Sequence, residues 1–129
     1  MVSSKENTLL DLLSREGVTV LEAELDGAWG YYDHAAKTIY LQSGMTSGHR
    51  LATLAHETHH CQRGDLGPQS QVIEDRINEE VALALIDPVD YAWAESQVGY
   101  HTGGLAALLD VPKWTVRAYR RVLARRLAA

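Results

Sequence analysis

The sequence predicts an α+β fold: a small N-terminal β-sheet packed on a helical core, with a C-terminal helix-turn-helix-like segment. Three observations predict it. Residues 18–25, "VTVLEAEL", alternate and are rich in branched side chains, as a half-buried strand does. The stretch "GAWGYYDHAAKTIYLQSG" holds two more strand-like runs around a polar turn. Beyond it, apolar residues recur at helical spacing through most of the remaining chain.

Taken in order, "ENTLLDLLSREG" predicts a short helix with Leu9, Leu12 and Leu13 on one side and Gly17 as its stop. The strand "VTVLEAEL" follows. Trp29–Tyr32 and Thr38–Leu41 form the next two strands, joined by a turn around Asp33 and His34. Thr46 or Ser47 caps the following helix, whose apolar stripe is Leu51, Leu54 and Ala55, and Gly64 ends it just after Arg63. "DLGPQ" is a loop. Ser70 caps a second helix that runs to Ile86 and is closed by Asp87 and Pro88. Two or three further helical pieces fill the C-terminal third. The expected organisation is a single domain over 1–129, with helix and sheet in 1–45, paired helices in 46–88 and C-terminal helices in 89–129.

A chain of 129 residues suits one domain with its own core. Its 46% hydrophobic and 22% charged residues fall in the ordinary globular range. No apolar run is long enough for a membrane helix, and the start of the chain does not read as a secretory signal. A single cysteine, Cys61, excludes an internal disulfide and fits a reducing compartment, so the expected location is the cytoplasm. The net charge of -5 is unevenly spread. Residues 113–129 hold Lys113, Arg117, Arg120, Arg121, Arg125 and Arg126 with no acid, whereas the other residues carry six basic and seventeen acidic side chains. Such a basic end binds nucleic acid or docks on its own acidic domain, and docking is the reading that needs no further partner.

The chemistry-bearing stretch is "LATLAHETHHCQRGD", residues 51–65, in which His56, Glu57 and His60 form HExxH. Two histidines four apart on a helix lie roughly 40° apart, so both rings reach one ion. Zinc suits neutral imidazole, and a glutamate beside the first histidine suits a general base acting on water. The competing reading makes these the solvated side of a helix whose apolar stripe faces the other way. The second helix weighs for zinc. At about 100° per residue, Glu74 and Asn78 share a stripe with Ile77, Val81 and Leu85, while Asp75, Arg76 and Glu79 point to water. An inward carboxylate needs a cation or several hydrogen-bond donors. A zinc ion on His56 and His60 supplies one, an arginine is the alternative, and Asn78 is placed to orient a ligand.

The segments "HRLATLAHETHH", "VIEDRINEEVALALIDP", "YAWAE" and "LAALLDVPKWTVRAYRRVL" resemble the compact ImmA/IrrE-type zinc metallopeptidases of actinobacteria and their phages, over roughly residues 18–123. The order of strand pair, HExxH helix and glutamate helix is similar to that of gluzincins. The resemblance implies a zincin-like core, a Zn2+ cofactor with ligands His56, His60 and Glu74, and Glu57 as catalytic base. It also implies a substrate, a helix-turn-helix repressor cut to release a phage or mobile-element programme. Finally, it implies that "KTIYL", as an edge strand before the metal helix, pairs with extended substrate.

Other residues are read against plainer roles. Cys61 stands one position beyond the HExxH face and reads as a free thiol rather than a ligand. His59 either stabilises an oxyanion in the cleft, supports a metal ligand from behind, or lies exposed. Tyr91, Tyr100 and His101 are further candidate donors to a tetrahedral intermediate. "LAALLDVPKWTVRAYRRVL" has helix-turn-helix spacing, with a turn at Asp110–Pro112 and a basic helix from Lys113. The repeat of Val116, Leu123 and Leu127 describes a packing face, which favours a structural or substrate-docking role over DNA reading. The expected function is a zinc-dependent endopeptidase. The alternative is a zinc-stabilised regulator without catalysis that binds DNA or a repressor, using Lys113, Arg117, Arg120 and Arg121 for DNA.

Overall fold

The structure, a computed structural model, describes residues 3–128. It is α+β, with element order α1 (Ser4–Arg15), β1 (Thr19–Ala23), β2 (Gly30–Asp33), β3 (Thr38–Gln42), α2 (Ser47–Arg63), α3 (Gln71–Leu85), α4 (Pro88–Val98), α5 (Thr102–Leu109) and α6 (Lys113–Ala128). The chain divides into two compact units, the first ending at Ser70 and the second beginning at Gln71. None of the described helices is long and apolar enough to cross a membrane.

In the first unit, local chemistry sets the helix ends. Ser3 caps α1 by accepting from the Glu6 N–H at 3.1 Å, and Gly17 leaves the helix at φ 75°. Thr46 caps α2 by accepting from the His49 N–H, and Gly64 closes it in the left-handed conformation. The sheet has strand order β1-β3-β2, with β1 parallel and β2 antiparallel to β3. Strand β3, which contains "TIYL", is therefore central and not an edge, correcting the expectation that it offers its edge to substrate. Ile39 and Leu41 share one face of β3 and are fully buried there, in a core with Leu13 of α1 and Leu54 of α2. The core gathers Leu13, Val18, Tyr32, Ile39, Leu41 and Leu54, with Cys61 packed at its margin. Buried Glu6 accepts from Arg50 Nε at 3.1 Å, and Arg50 also pairs with Glu22, so one guanidinium links α1, α2 and β1.

The second unit is helical. Asp87 and Pro88 do more than end α3. The Asp87 carboxylate accepts from the Val89 N–H at 2.7 Å and the Asp90 N–H at 3.3 Å, and Pro88 opens α4. The core contains Ile86, Tyr91, Leu105, Val111, Val116 and Tyr119. Helix α6 packs along α3 and α5. Val116 is fully buried and Leu123 lies partly buried against the core, but Leu127 is exposed, so the packing face ends before Leu127.

Glu79 differs from its expectation. It does not point to water: its side chain is 13% exposed and is held by Arg121 Nε at 3.0 Å and by Arg125. Arg121 and Arg125 stand one turn apart on α6 and together clamp this carboxylate of α3. Arg121 also lies 3.8 Å from Asp75. Part of the expected self-docking of the basic helix is thereby realised inside the second unit, where Glu79 is held by two arginines of α6.

Candidate metal centre

Helix α2 brings His56, Glu57 and His60 together. Their ligating atoms lie within 4.8 Å of one another, with Glu57 and His60 buried and His56 half-buried. His60 is 7% exposed and Glu57 6%, which does not fit the reading of this helix face as merely solvated. The Nε2 atoms of His56 and His60 are 3.2 Å apart, with ring centroids 4.9 Å apart.

The histidine geometry arises from the way α2 ends. Gly64 takes φ 73°, so its N–H bonds back to the Cys61 carbonyl at 3.0 Å. The Asp65 N–H then reaches the His60 carbonyl at 3.1 Å. This closing motif sets the residue after the glycine above the residue five positions earlier, where an apolar pair usually meets. Here the pair is polar: His60 Nδ1 lies 2.8 Å from Asp65 Oδ2. An ionised carboxylate only accepts, so His60 Nδ1 carries the proton and Nε2 keeps its lone pair for His56 or an ion.

Burial pushes the Asp65 carboxyl up, but hydrogen bonds from His60 and Arg63, with their charges, outweigh it and hold the group below its ordinary value. Arg63 Nε donates to the same oxygen at 2.9 Å. Asp65 was not among the residues expected at the site. Its signal was local: an acid directly after a helix-ending glycine, five residues beyond the second histidine.

The donor set fits a zinc ion. Two imidazole nitrogens each about 2.0–2.1 Å from one tetrahedral ion stand roughly 3.3 Å apart. The observed Nε2 separation of 3.2 Å is close to that spacing. Two nitrogen donors, with a carboxylate fixing the proton behind one ring, also match the chemistry zinc prefers, and Glu57 stands beside them outside the donor set.

Strand β2 shapes the site from the other side. A Cβ added to Gly30 would stand 2.6 Å from Thr53 Cγ2 and 3.1 Å from Glu57 Cγ, so the strand backbone runs directly against the turn of α2 that carries Glu57. Thr53 turns its hydroxyl to the His49 carbonyl at 2.8 Å, away from the strand. Only glycine fits at position 30 without displacing one of these groups. Trp29, the preceding residue, sets its ring edge-on to His49 at 6.4 Å.

The remaining expected residues are placed as follows. His59 is half-buried on α2. Cys61 lies against the first core, and Tyr32 beside it bonds His34 Nδ1 at 2.9 Å. Burial, with the Cys61 thiol adjoining, pushes the Tyr32 hydroxyl up to about 12. Glu74 and Asn78 stand one turn apart on α3 in the second unit, both half-buried, on the side that buries Ile77 and Val81.

Tyr91 is buried in the second core, 4.8 Å from the Tyr119 ring, and burial raises its hydroxyl above the ordinary value. Tyr100 is exposed, with the Arg120 guanidinium 5.6 Å from its ring centre. His101 caps α5, its Nδ1 accepting from the Gly104 N–H at 2.8 Å.

Compared with known proteins, the chain matches no family model and no curated protein.

Proposed function

We propose that the chain is a zinc-dependent endopeptidase acting through the His56, Glu57 and His60 cluster. The observation that carries this reading is the 3.2 Å approach of the two Nε2 atoms, with His60 oriented by Asp65 and Glu57 beside them. His56 and His60 hold the ion in this proposal, and Glu74 is its third ligand, as in the ImmA/IrrE-type peptidases that the sequence resembles. When bound, zinc supplies a Lewis acid for the scissile carbonyl and lowers the pKa of water at the site.

Glu57 is the general base. Its carboxylate takes a proton from the attacking water and returns it to the leaving amine as the peptide bond breaks. Asp65 keeps the His60 proton on Nδ1 throughout. Strand β2, with one side unpaired by the sheet among the described residues, is the edge proposed for an extended peptide, because its backbone passes Glu57 at Gly30. By the same resemblance, the substrate class is a helix-turn-helix repressor. The single cysteine supports a reducing, cytoplasmic setting.

The test uses a proteome-derived peptide library, with new N-termini identified by mass spectrometry after incubation with zinc-loaded parent chain and with Glu57→Gln. Cleavage by the parent, lost in Glu57→Gln while zinc remains stoichiometric, is the expected result. Equal cleavage by both removes Glu57 as base, and no cleavage by the zinc-loaded parent counts against the peptidase reading.

A further inference from the structure

We propose that α5, its turn and α6 form a docking surface for duplex DNA, presented by Lys113 and Arg117, with the charge of half-buried Arg120 beside them. The proposal stands apart from the metal centre and uses only residues of the second unit. Helix α5 has eight residues and ends at Asp110 in the left-handed conformation, φ 50°. The Val111 N–H returns to the Ala106 carbonyl at 3.1 Å, and after Pro112 the chain starts α6. Leu105, Ala106, Val111, Val116 and Tyr119 are buried in one core, which packs the second helix against the first. A short helix, a tight turn and a longer second helix held in this way make a helix-turn-helix.

The packing face noted in the sequence and the basic face are different sides of α6. Val116 and Tyr119 belong to the core shared with α5, and Thr115, Ala118 and Val122 are also buried, on a helix that packs along α3. The remaining side is open. At about 100° per residue, Lys113, Arg117 and Ala124 fall within roughly 40° of one another there. All three are exposed. Arg121 and Arg125, at the flank, spend their charge on Glu79. Arg120 donates to Thr102 Oγ1 at 2.6 Å and to the Tyr100 carbonyl, both neutral, so its charge is not cancelled. Among the described residues no carboxylate is paired with Lys113 or Arg117.

Lys113 also folds toward the start of α5: its Cε lies 3.6 Å from where a Cβ on Gly103 would stand. The partner that fits is a polyanion able to take an exposed, basic helix face. The major groove of B-DNA admits a helix, and phosphates flank it on both sides.

The test is fluorescence anisotropy of a labelled duplex of mixed sequence, titrated with the full chain at several salt concentrations. The parent should bind, with an affinity that falls steeply from about 0.05 to 0.2 M salt. The Lys113→Ala/Arg117→Ala variant should bind at least tenfold more weakly. Its slope of log K against log salt should flatten by about 1.8, since each phosphate left without its cation accounts for about 0.9. An Arg76→Ala/Arg126→Ala variant, which removes the same charge elsewhere, should bind like the parent. Circular dichroism checks that each variant is folded. The proposal is overturned by no duplex binding at low salt, by equal weakening in the two double variants, or by poly-L-glutamate displacing the chain as effectively as unlabelled duplex. The last result would assign the surface to an acidic protein.

Discussion

In the proposed zinc site, replacing Asp65 with alanine isolates the contribution of a single hydrogen bond to metal affinity. The His60 Nδ1–Asp65 Oδ2 bond is 2.8 Å long, and both side chains are 9% exposed. A bond of this kind, with one charged partner, is worth about 1.5–3 kcal/mol. Losing it frees the His60 ring to turn and lowers the basicity of Nε2. Partners of this kind typically change metal affinity by about 10–100-fold, or roughly 1.4–2.8 kcal/mol, in agreement with the value for the bond.

The assay is competitive zinc titration against a chromophoric chelator at fixed pH. Asp65→Asn keeps an acceptor without the charge, so its loss should stay below about tenfold. Arg63→Ala leaves the His60 bond intact and should bind zinc nearly as the parent does. Because Gly64 closes the helix through backbone groups, the Asp65 variants retain α2. An Asp65→Ala chain that binds zinc as tightly as the parent would refute the reasoning.

Three further outcomes are expected. Gly30→Ala places a methyl 2.6 Å from Thr53 Cγ2; thermal or denaturant unfolding should show a loss of about 1–3 kcal/mol, and cleavage should fall because Glu57 is also displaced. Glu79→Gln should lower the melting temperature at neutral pH and blunt its dependence in acid. Hydrogen bonding from Arg125 first, and then from Arg121 against the opposing effect of burial, holds the Glu79 carboxyl below its usual value. Its stabilising contribution is therefore complete above about pH 4.3 and is lost as the pH falls through the lower folded value. Glu57→Gln should keep stoichiometric zinc by elemental analysis and lose cleavage of the peptide library.

What was legible in the sequence was mostly local. Thr46 and Gly64 mark the ends of α2, Gly17 the stop after α1, and the polar residues after Asp33 the hairpin, because caps and turns are decided within a few residues. The HExxH spacing was enough to bring two imidazoles onto one face. Strand order was not legible: whether "TIYL" is central depends on β1 crossing to pair beside it, a long-range choice that alternation does not encode. Nor was the burial of Glu79, which needs α6 laid along α3 with Arg121 and Arg125 in register. Asp65 was legible in principle, since Gly64 turns it back over His60, but the pair at that position is usually apolar, which hid the polar version. Leu127 repeats with Val116 and Leu123 yet lies beyond the end of the core.

The most direct test of the proposed metal centre is zinc content by elemental mass spectrometry after exhaustive dialysis, for the parent chain, His56→Ala, His60→Ala and Glu74→Ala. The expected result is a stoichiometric ion in the parent, none in either histidine variant and a marked loss in Glu74→Ala. A parent chain without zinc, or a His56→Ala chain that retains it in full, would contradict a shared ion between the two imidazoles.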